Sequence, residues 1–284
     1  MPDLGDLLEA RTRRPDAIAA AAAARKRPTS LFGEHGKLMI IAADHPARGA
    51  LRAGADPLAM ADRIDLLDRI RTALARPGVN GVLGTPDILE DLLLLGALDG
   101  KVVIGSMNRG GLAGTVFEID DRFTAYDADS IAAAGYEGGK MLLRIDPEDA
   151  GTAATLESCA RAVSALAGHR LMAMVEPFIS HRIDGRMRNE LTPEAMIRAL
   201  TVSAGLGMTS AYTWLKVPIV EDMERVMAAT TLPALILGGE VTDDAEGAYA
   251  SWAKALRLPT VQGLVIGRSL LYPARGSEIG RAHV

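Results

Sequence analysis

Short runs of apolar residues alternate with longer stretches of helical periodicity along almost the whole chain. The runs are LMIIAA at 38–43, GVLG closing the segment 79–84, KVVIG at 101–105 and KMLLRI at 140–145. RLMAMV at 170–175, AYTWLKV at 211–217, ALIL at 234–237 and GLVI at 263–266 follow. Each has strand length and is continuously apolar rather than alternating, as a parallel sheet covered on both faces requires. Between them, apolar positions recur at helical spacing over 57–74, 87–98, 131–134, 152–166, 193–204, 221–229 and 243–256. The stretch 108–129, rich in Gly, Asp and aromatic residues, reads as a long loop. Strands alternating with helices in this way predict an α/β fold, a single (β/α)8 barrel. An open, doubly wound sheet is the competing architecture, but no Gly-x-Gly-x-x-Gly opens the first helix. No self-similarity appears beyond the strand–helix unit itself.

The ends of the chain modify this picture. Residues 1–29 read as a helical extension preceding the barrel, which takes 30–277. After the last strand the chain runs Leu271, Tyr272, Pro273 and shows no further helical pattern, so the barrel is expected to lack its last outer helix. Residues 278–284, EIGRAHV, resemble an in-frame translation of a sequencing adapter and are expected to be a non-native tail. A genuine polar tail is the alternative.

Composition narrows the function classes. The 284 residues match the roughly 250 that such a barrel needs, and 49% of them are hydrophobic, ample for a large core. A net charge of −5 argues against a nucleic-acid partner, which calls for a basic face. It leaves room for a phosphorylated small molecule, because that needs only a local anion site. The single cysteine, Cys159, cannot form an intrachain disulfide, fits a reducing compartment and reads as a small buried hydrophobe. No apolar run reaches the roughly 20 residues of a membrane span. The N-terminus carries Asp3, Asp6 and Glu9 where a signal peptide would be basic. A cytoplasmic protein without a membrane partner is expected.

Active sites of these barrels lie at the C-terminal ends of the strands, so reactive residues that end a strand matter most. Of six lysines, Lys37, Lys101 and Lys140 begin strands and are expected at the opposite rim. Lys26 precedes the barrel and Lys254 lies on a helix. Only Lys216 ends a strand, among Trp214, Leu215, Val217 and Pro218. Burial disfavours an ammonium and frees the amine to attack a carbonyl. A structural lysine reaching for the rim is the competing reading.

Asp44 ends the first strand and is placed to assist proton transfer, or else caps the following turn. His45 beside it points to the other side if the strand continues through it. Arg144 and Asp146 end the fourth strand and Glu176 the fifth, each open to a catalytic or a structural role. Asn108 and Arg109 follow the third strand and are candidates for holding polar substrate groups. Gly238–Gly239 and Gly267–Arg268 follow the last two strands, where glycine amides approach an anion closely and an arginine adds charge. Ordinary tight turns would leave the same glycines. No short His-x-x-x-His spacing or Gly-x-Ser-x-Gly is present, so neither a metal nor another cofactor is expected.

These residues together resemble a known family. Asp44 after strand one, WLKVP on strand six, GGE after strand seven and GLVIGRSLLYP at strand eight are similar to the class I, Schiff-base aldolase superfamily. That group includes deoxyribose-phosphate, tagatose-bisphosphate and archaeal-type fructose-bisphosphate aldolases, and the likeness leans to a bacterial branch of sugar or inositol catabolism. It spans about residues 38–273. It implies that Lys216 is the Schiff-base lysine, Asp44 the acidic residue of strand one, and Gly239 with Gly267–Arg268 the phosphate loops. It implies metal-free cleavage or joining of phosphorylated sugars or keto acids, by a homo-oligomer. Glu176-Pro177 departs from the archaeal-type pattern, where aromatic residues stand. Asp44 first, and Glu176 second, are expected to accept the substrate hydroxyl proton. A catalytically silent sugar-phosphate-binding barrel is the alternative function.

Overall fold

A computed structural model describes residues 4–33, 36–241 and 244–273. Two helices, α1 (Leu4–Arg13) and α2 (Asp16–Ala24), precede the first strand, β1 (Leu38–Ala42). There follow α3 (Arg63–Leu74), β2 (Gly81–Gly84), α4 (Pro86–Leu94), β3 (Val102–Ser106) and α5 (Ala128–Ala133). Next come β4 (Gly138–Ile145), α6 (Gly151–Gly168), β5 (Met172–Ile183), β6 (Arg186–Asn189), α7 (Pro193–Ala204) and β7 (Thr213–Val217). The series ends with α8 (Met223–Met227), β8 (Ala234–Leu237), α9 (Ala245–Ala255), β9 (Val261–Ile266) and α10 (Arg268–Leu271).

Eight of these strands pair in parallel and close on themselves. The ring runs β1-β2-β3-β4-β5-β7-β8-β9 and returns to β1, as the sequence pattern predicts. The remaining strand, β6, folds back antiparallel on the end of β5. Its turn is Asp184-Gly185, both at positive φ, the dipeptide favoured in tight hairpin turns. No strand was expected there, because the twelve residues of β5 continue to Ile183, well past the apolar run that ends at Val175.

Side-chain alternation divides the core in two. On the barrel strands the residues of one parity, Leu38, Ile40, Ala42, Ile104, Met174 and Val265 among them, fill the interior. Their neighbours of the other parity, such as Ile41, Val103, Leu143 and Val175, pack outward against the helices. This two-sided burial is why the strands read as unbroken apolar runs. Helix boundaries follow their caps. The helix expected from residue 57 starts only at Arg63, because Asp62 accepts hydrogen bonds from the amides of Ile64 and Asp65 and so fixes the N-terminus.

The segment after α2 closes the bottom of the barrel. Arg25 donates to the carbonyls of Lys101 and Gly135 and pairs with buried Glu137 at 3.0 Å. Glu137 in turn accepts from the Val103 amide, which ties the segment to β3. Leu31 packs against the interior cluster and Phe32 against Trp214. At the other end of the chain α10 packs on α3, with Arg69 donating to the Leu271 carbonyl. The expectation about residues 278–284, and that of a missing outer helix beyond Pro273, fall outside the described residues. Among the described residues no helix is long and apolar enough to cross a membrane.

Removing one member of a buried ion pair strands the other. Arg25→Ala should therefore lower stability by about 3 kcal/mol, the lower end of that range because Arg27 still reaches Glu137. Urea unfolding of the variant against the parent measures it, and a change within ~0.5 kcal/mol would mean that the strap is not fastened to the barrel.

Candidate active site

The interior parity carries apolar residues through the lower barrel and then switches to charge. At the C-terminal level stand Asp44 after β1, Ser106 on β3, Lys140 on β4, Glu176 on β5 and Lys216 on β7. Asp44 is 2% exposed, Lys140 2%, Lys216 4% and Glu176 8%, so the charges must satisfy one another. They form a continuous chain. Lys140 Nζ lies 3.1 Å from Asp44 Oδ2 and 2.5 Å from Glu176 Oε2. Lys216 Nζ donates to Glu176 Oε1 at 2.7 Å. Asp44 Oδ2 also accepts from Ser106 Oγ at 3.0 Å and pairs with Arg109 at 3.1 Å.

Lys140 corrects the sequence reading, which put it at the far rim. Lys37 and Lys101 do lie there, donating to the Val261 and Val79 carbonyls. Lys140 does not, because β4 begins two residues earlier, at Gly138. Gly138-Gly139 looks like a turn in sequence, yet both residues are in the strand because neighbours approach closely. A Cβ on Gly138 would meet the Met172 carbonyl oxygen at 2.5 Å, and one on Gly139 the Met107 sulfur at 2.5 Å. One signal was available: Lys140, Leu142 and Arg144 share a parity, so an inward Arg144 implies an inward Lys140.

Charge and burial together set the protonation of the chain. Burial works to raise the Asp44 carboxyl, but Lys140, Arg109, His45 and Lys216 outweigh it and hold it well below the usual range. Burial likewise opposes ionisation of Glu176, and Lys140 and Lys216 overcome it and push its pKa down. Burial lowers Lys140 to about 8, with Lys216 and Arg109 adding to the effect and Asp44 and Glu176 opposing it.

A cavity of about 680 Å³ opens over these groups. Besides Asp44, Lys140, Glu176 and Lys216, its lining includes Arg144, Gly238, Gly239, Gly267 and Arg268. Gly239 has φ +70, which favours glycine. A Cβ on Gly267 would meet the Ala42 carbonyl oxygen at 2.6 Å. The Gly238 amide is spent on the Val265 carbonyl at 3.3 Å. Arg144 is held by Glu118 at 2.9 Å, with its Nε and Nη1 unpartnered. Asn108 does not line the cavity. Its fully buried amide is used to extend the sheet, donating to the Leu142 carbonyl and accepting from the Leu142 amide, so substrate contact is not its job. Asp146 caps the turn into α6, accepting from the Glu148 amide. The β5–β6 hairpin, missed in the sequence, adds Met187, Arg188 and Asn189 to the rim. Cys159 is buried against the outer face of the barrel. Among the described residues no group of three or more His, Cys, Asp or Glu is arranged to hold a metal ion.

The closed eight-stranded barrel is a fold shared with solved proteins of low sequence identity. A solved Schiff-base-forming fructose-1,6-bisphosphate aldolase shares the fold at 20% identity and a TM-score of 0.60, covering 89% of this chain and 93% of that one. An archaeal fructose-1,6-bisphosphate aldolase, its catalytic lysine bound to the carbinolamine intermediate, matches at 19% identity and 0.62, over 89% and 92% of the two chains. The chain itself belongs to the Cgl0159-like family, whose model matches residues 36–282. The crystal structure of Cgl0159 from Corynebacterium glutamicum is 50% identical, with a TM-score of 0.93 over 96% of this chain and 92% of that one. No curated protein matches the chain.

The carboxylates make stability acid-sensitive. A carboxyl whose folded pKa lies below its unfolded value, about 4, contributes stability above that value and loses it as pH falls through the folded pKa. Asp44 and Glu176 should thus make unfolding steeply easier below pH ~4. Lys140 acts in the same sense in a higher window: the unfolded chain holds its proton up to pH ~10.4, the folded one to about 8, so stability from this group also rises with pH between those values. Urea midpoints against pH test both, and Glu176→Gln should show a shallower acid limb; an unchanged limb would remove Glu176 from the account.

Proposed function

We propose that this chain is a class I aldolase that cleaves or forms a carbon–carbon bond of a phosphorylated sugar or keto acid, without a metal, through a Schiff base on Lys216. The observation that carries the reading is the buried Lys216–Glu176–Lys140–Asp44 chain under an open cavity. An amine attacks a carbonyl only when neutral. Lys140 is about half neutral near pH 8, and Glu176 touches both amines, one with each oxygen. Glu176 bridges the two amines and is placed to carry a proton between them, with Lys216 the proposed nucleophile. Asp44 anchors Lys140 and balances the third cation, Arg109. Once formed, the iminium on Lys216 withdraws electrons from the bond to be broken.

At the other side of the cavity, the Gly239 and Gly267 amides with Arg268 form the proposed phosphate site, a positive, glycine-lined corner at the ends of β8 and β9. Gly238 gives that corner room rather than a donor, and Arg144 is available to a second polar substrate group. The solved aldolases of the same fold, one with its lysine caught on substrate, support the reading by analogy. We place the chain in cytoplasmic carbohydrate catabolism, the inositol branch being the one its sequence resembles, and infer a homo-oligomer. A silent sugar-phosphate-binding barrel would bind the same ligands without a covalent step.

Borohydride reduction in the presence of dihydroxyacetone phosphate should leave a covalent adduct on the peptide carrying Lys216. Lys216→Ala and Lys216→Arg should abolish it, since arginine stays protonated; an adduct mapped elsewhere, or none in the parent, overturns the proposal. The rate of adduct formation should rise with pH and level off above about 8, where Lys140 has lost its proton; a flat profile would mean that the charge on Lys140 does not govern imine formation.

Arg268→Gln should raise the half-saturating concentration of dihydroxyacetone phosphate roughly 10–100-fold, the worth of a hydrogen bond to a charged group. An unchanged value would move the phosphate elsewhere. Turnover should survive a chelating buffer, and loss that a divalent ion restores would point to a metal-dependent aldolase.

A further inference from the structure

The proposed cleavage needs a base for the proton of the hydroxyl that becomes a carbonyl, and the two carboxylates are poor candidates for it. Both oxygens of Glu176 are already held by lysine side chains, Oε1 by Lys216 and Oε2 by Lys140. Oδ2 of Asp44 is shared by Ser106, Lys140 and Arg109. What remains of Asp44 is Oδ1, which lies 3.8 Å from the Nδ1 of His45.

His45 does not continue β1, which ends at Ala42. Its backbone is helical (φ −65°, ψ −42°) and opens the turn Pro46–Arg48. The alternation that would turn it away from Asp44 no longer applies, and His45 lines the same cavity as Lys216, Gly267 and Arg268. Its Nδ1 is buried and has no hydrogen-bond partner. The side chain as a whole is 29% exposed, so the ring meets the cavity through its other atoms. A buried polar atom without a partner costs free energy, and the closest anion able to relieve it is Asp44 Oδ1. A carboxylate beside one ring nitrogen, a short movement from hydrogen-bond distance, is placed to orient the ring with its other nitrogen toward substrate.

We propose that His45 is the base that takes the substrate hydroxyl proton in carbon–carbon cleavage, with Asp44 Oδ1 orienting its Nδ1–H. The inference rests on the Schiff-base reading above and names the group that completes it. In the step, the hydroxyl proton passes to His45 Nε2 and the O–H pair forms the new carbonyl. The carbon–carbon bond breaks, and its electron pair moves toward the iminium carbon, leaving a neutral enamine on Lys216. His45, now an imidazolium, returns its proton before water releases the product from the lysine. Burial first, and then Arg268, Lys216 and Lys140, lower the ring to about 3 against the pull of Asp44, so that it is neutral at rest and releases its proton readily after the step.

The test separates imine formation from cleavage. His45→Ala and His45→Gln are compared with the parent on a panel of six-carbon ketose phosphates, with borohydride trapping and mass measurement of the adduct on Lys216. The parent should give both the uncleaved six-carbon adduct and the three-carbon adduct left after cleavage. Both variants should still trap the six-carbon adduct, which also reports an intact fold, while the three-carbon adduct forms roughly 10²–10⁴-fold more slowly, the usual contribution of a general base. Added imidazole should restore part of the rate to His45→Ala. Cleavage within about fivefold of the parent in either variant that traps the six-carbon adduct overturns the assignment of His45 alone. So does loss of the six-carbon adduct in both variants, which would make His45 a structural residue. A parent that forms no adduct, or traps ketoses without cleaving any, overturns the aldolase reading itself.

Discussion

Two lysines, two carboxylates and an arginine buried in the mouth of a barrel can remain there only as a set. Each charge taken from water alone would cost several kcal/mol, and each here is within hydrogen-bond or ion-pair reach of an opposite one. The rest of the architecture serves to hold that set in place. The chain Asp44–Lys140–Glu176–Lys216 draws one member from each of β1, β4, β5 and β7 or the residue positions just after them. It survives only if those strands keep their depth relative to one another. Parallel pairing over eight residues between β4 and β5 sets the depth of Lys140 against Glu176. Interior packing of Ile40, Ile104 and Met174 beneath provides a dry floor, which strengthens every interaction above it.

The same balance explains why the lysine pair is chemically interesting rather than merely neutral. With Arg109 counted, three cations face two carboxylates, so one proton too many is held in a small volume. The cheapest relief is to release it from an amine. Burial first, and then repulsion from Lys216 and Arg109, make Lys140 the one to yield. An isolated buried lysine would have had to lose its proton by desolvation alone. Lys140 is helped by repulsion from Lys216 and Arg109 while it keeps Asp44 and Glu176 as partners.

The site is built from rigid strand ends on one side and from loops on the other. Asp44, Ser106, Lys140, Glu176 and Lys216 stand on or directly after paired backbone. His45, Gly239, Gly267 and Arg268 lie where the chain has left the sheet, and the β5–β6 hairpin forms a wall beside them. This division suits a reaction in which the nucleophile must be placed tightly while the substrate enters and leaves past more adaptable segments.

The alternation of apolar runs with helical periodicity was enough to specify a closed parallel barrel, because a strand buried on both faces leaves a local signature and eight of them leave few topologies. Lys216, at the end of one such run, was legible for the same reason. Asp44 and Glu176 were legible as strand-end carboxylates, and the glycines after the last two strands as openings in the rim. Depth was not legible. Lys140 was placed at the wrong rim because the apolar run begins at Lys140, whereas the strand begins at Gly138, where glycine lets Met172 and Met107 approach. Asn108 was offered to substrate because nothing local shows that Leu142 claims its amide. The hairpin beyond Glu176 was lost where the apolar run stopped, although Asp184-Gly185 carried a turn signal. Arg25 gave no hint of Glu137, more than a hundred residues away. In each case the deciding partner is distant in sequence. Periodicity records which face of an element is dry, whereas the level of a residue in the barrel, and the group that meets it there, are set by register between strands and exist only once the ring has closed.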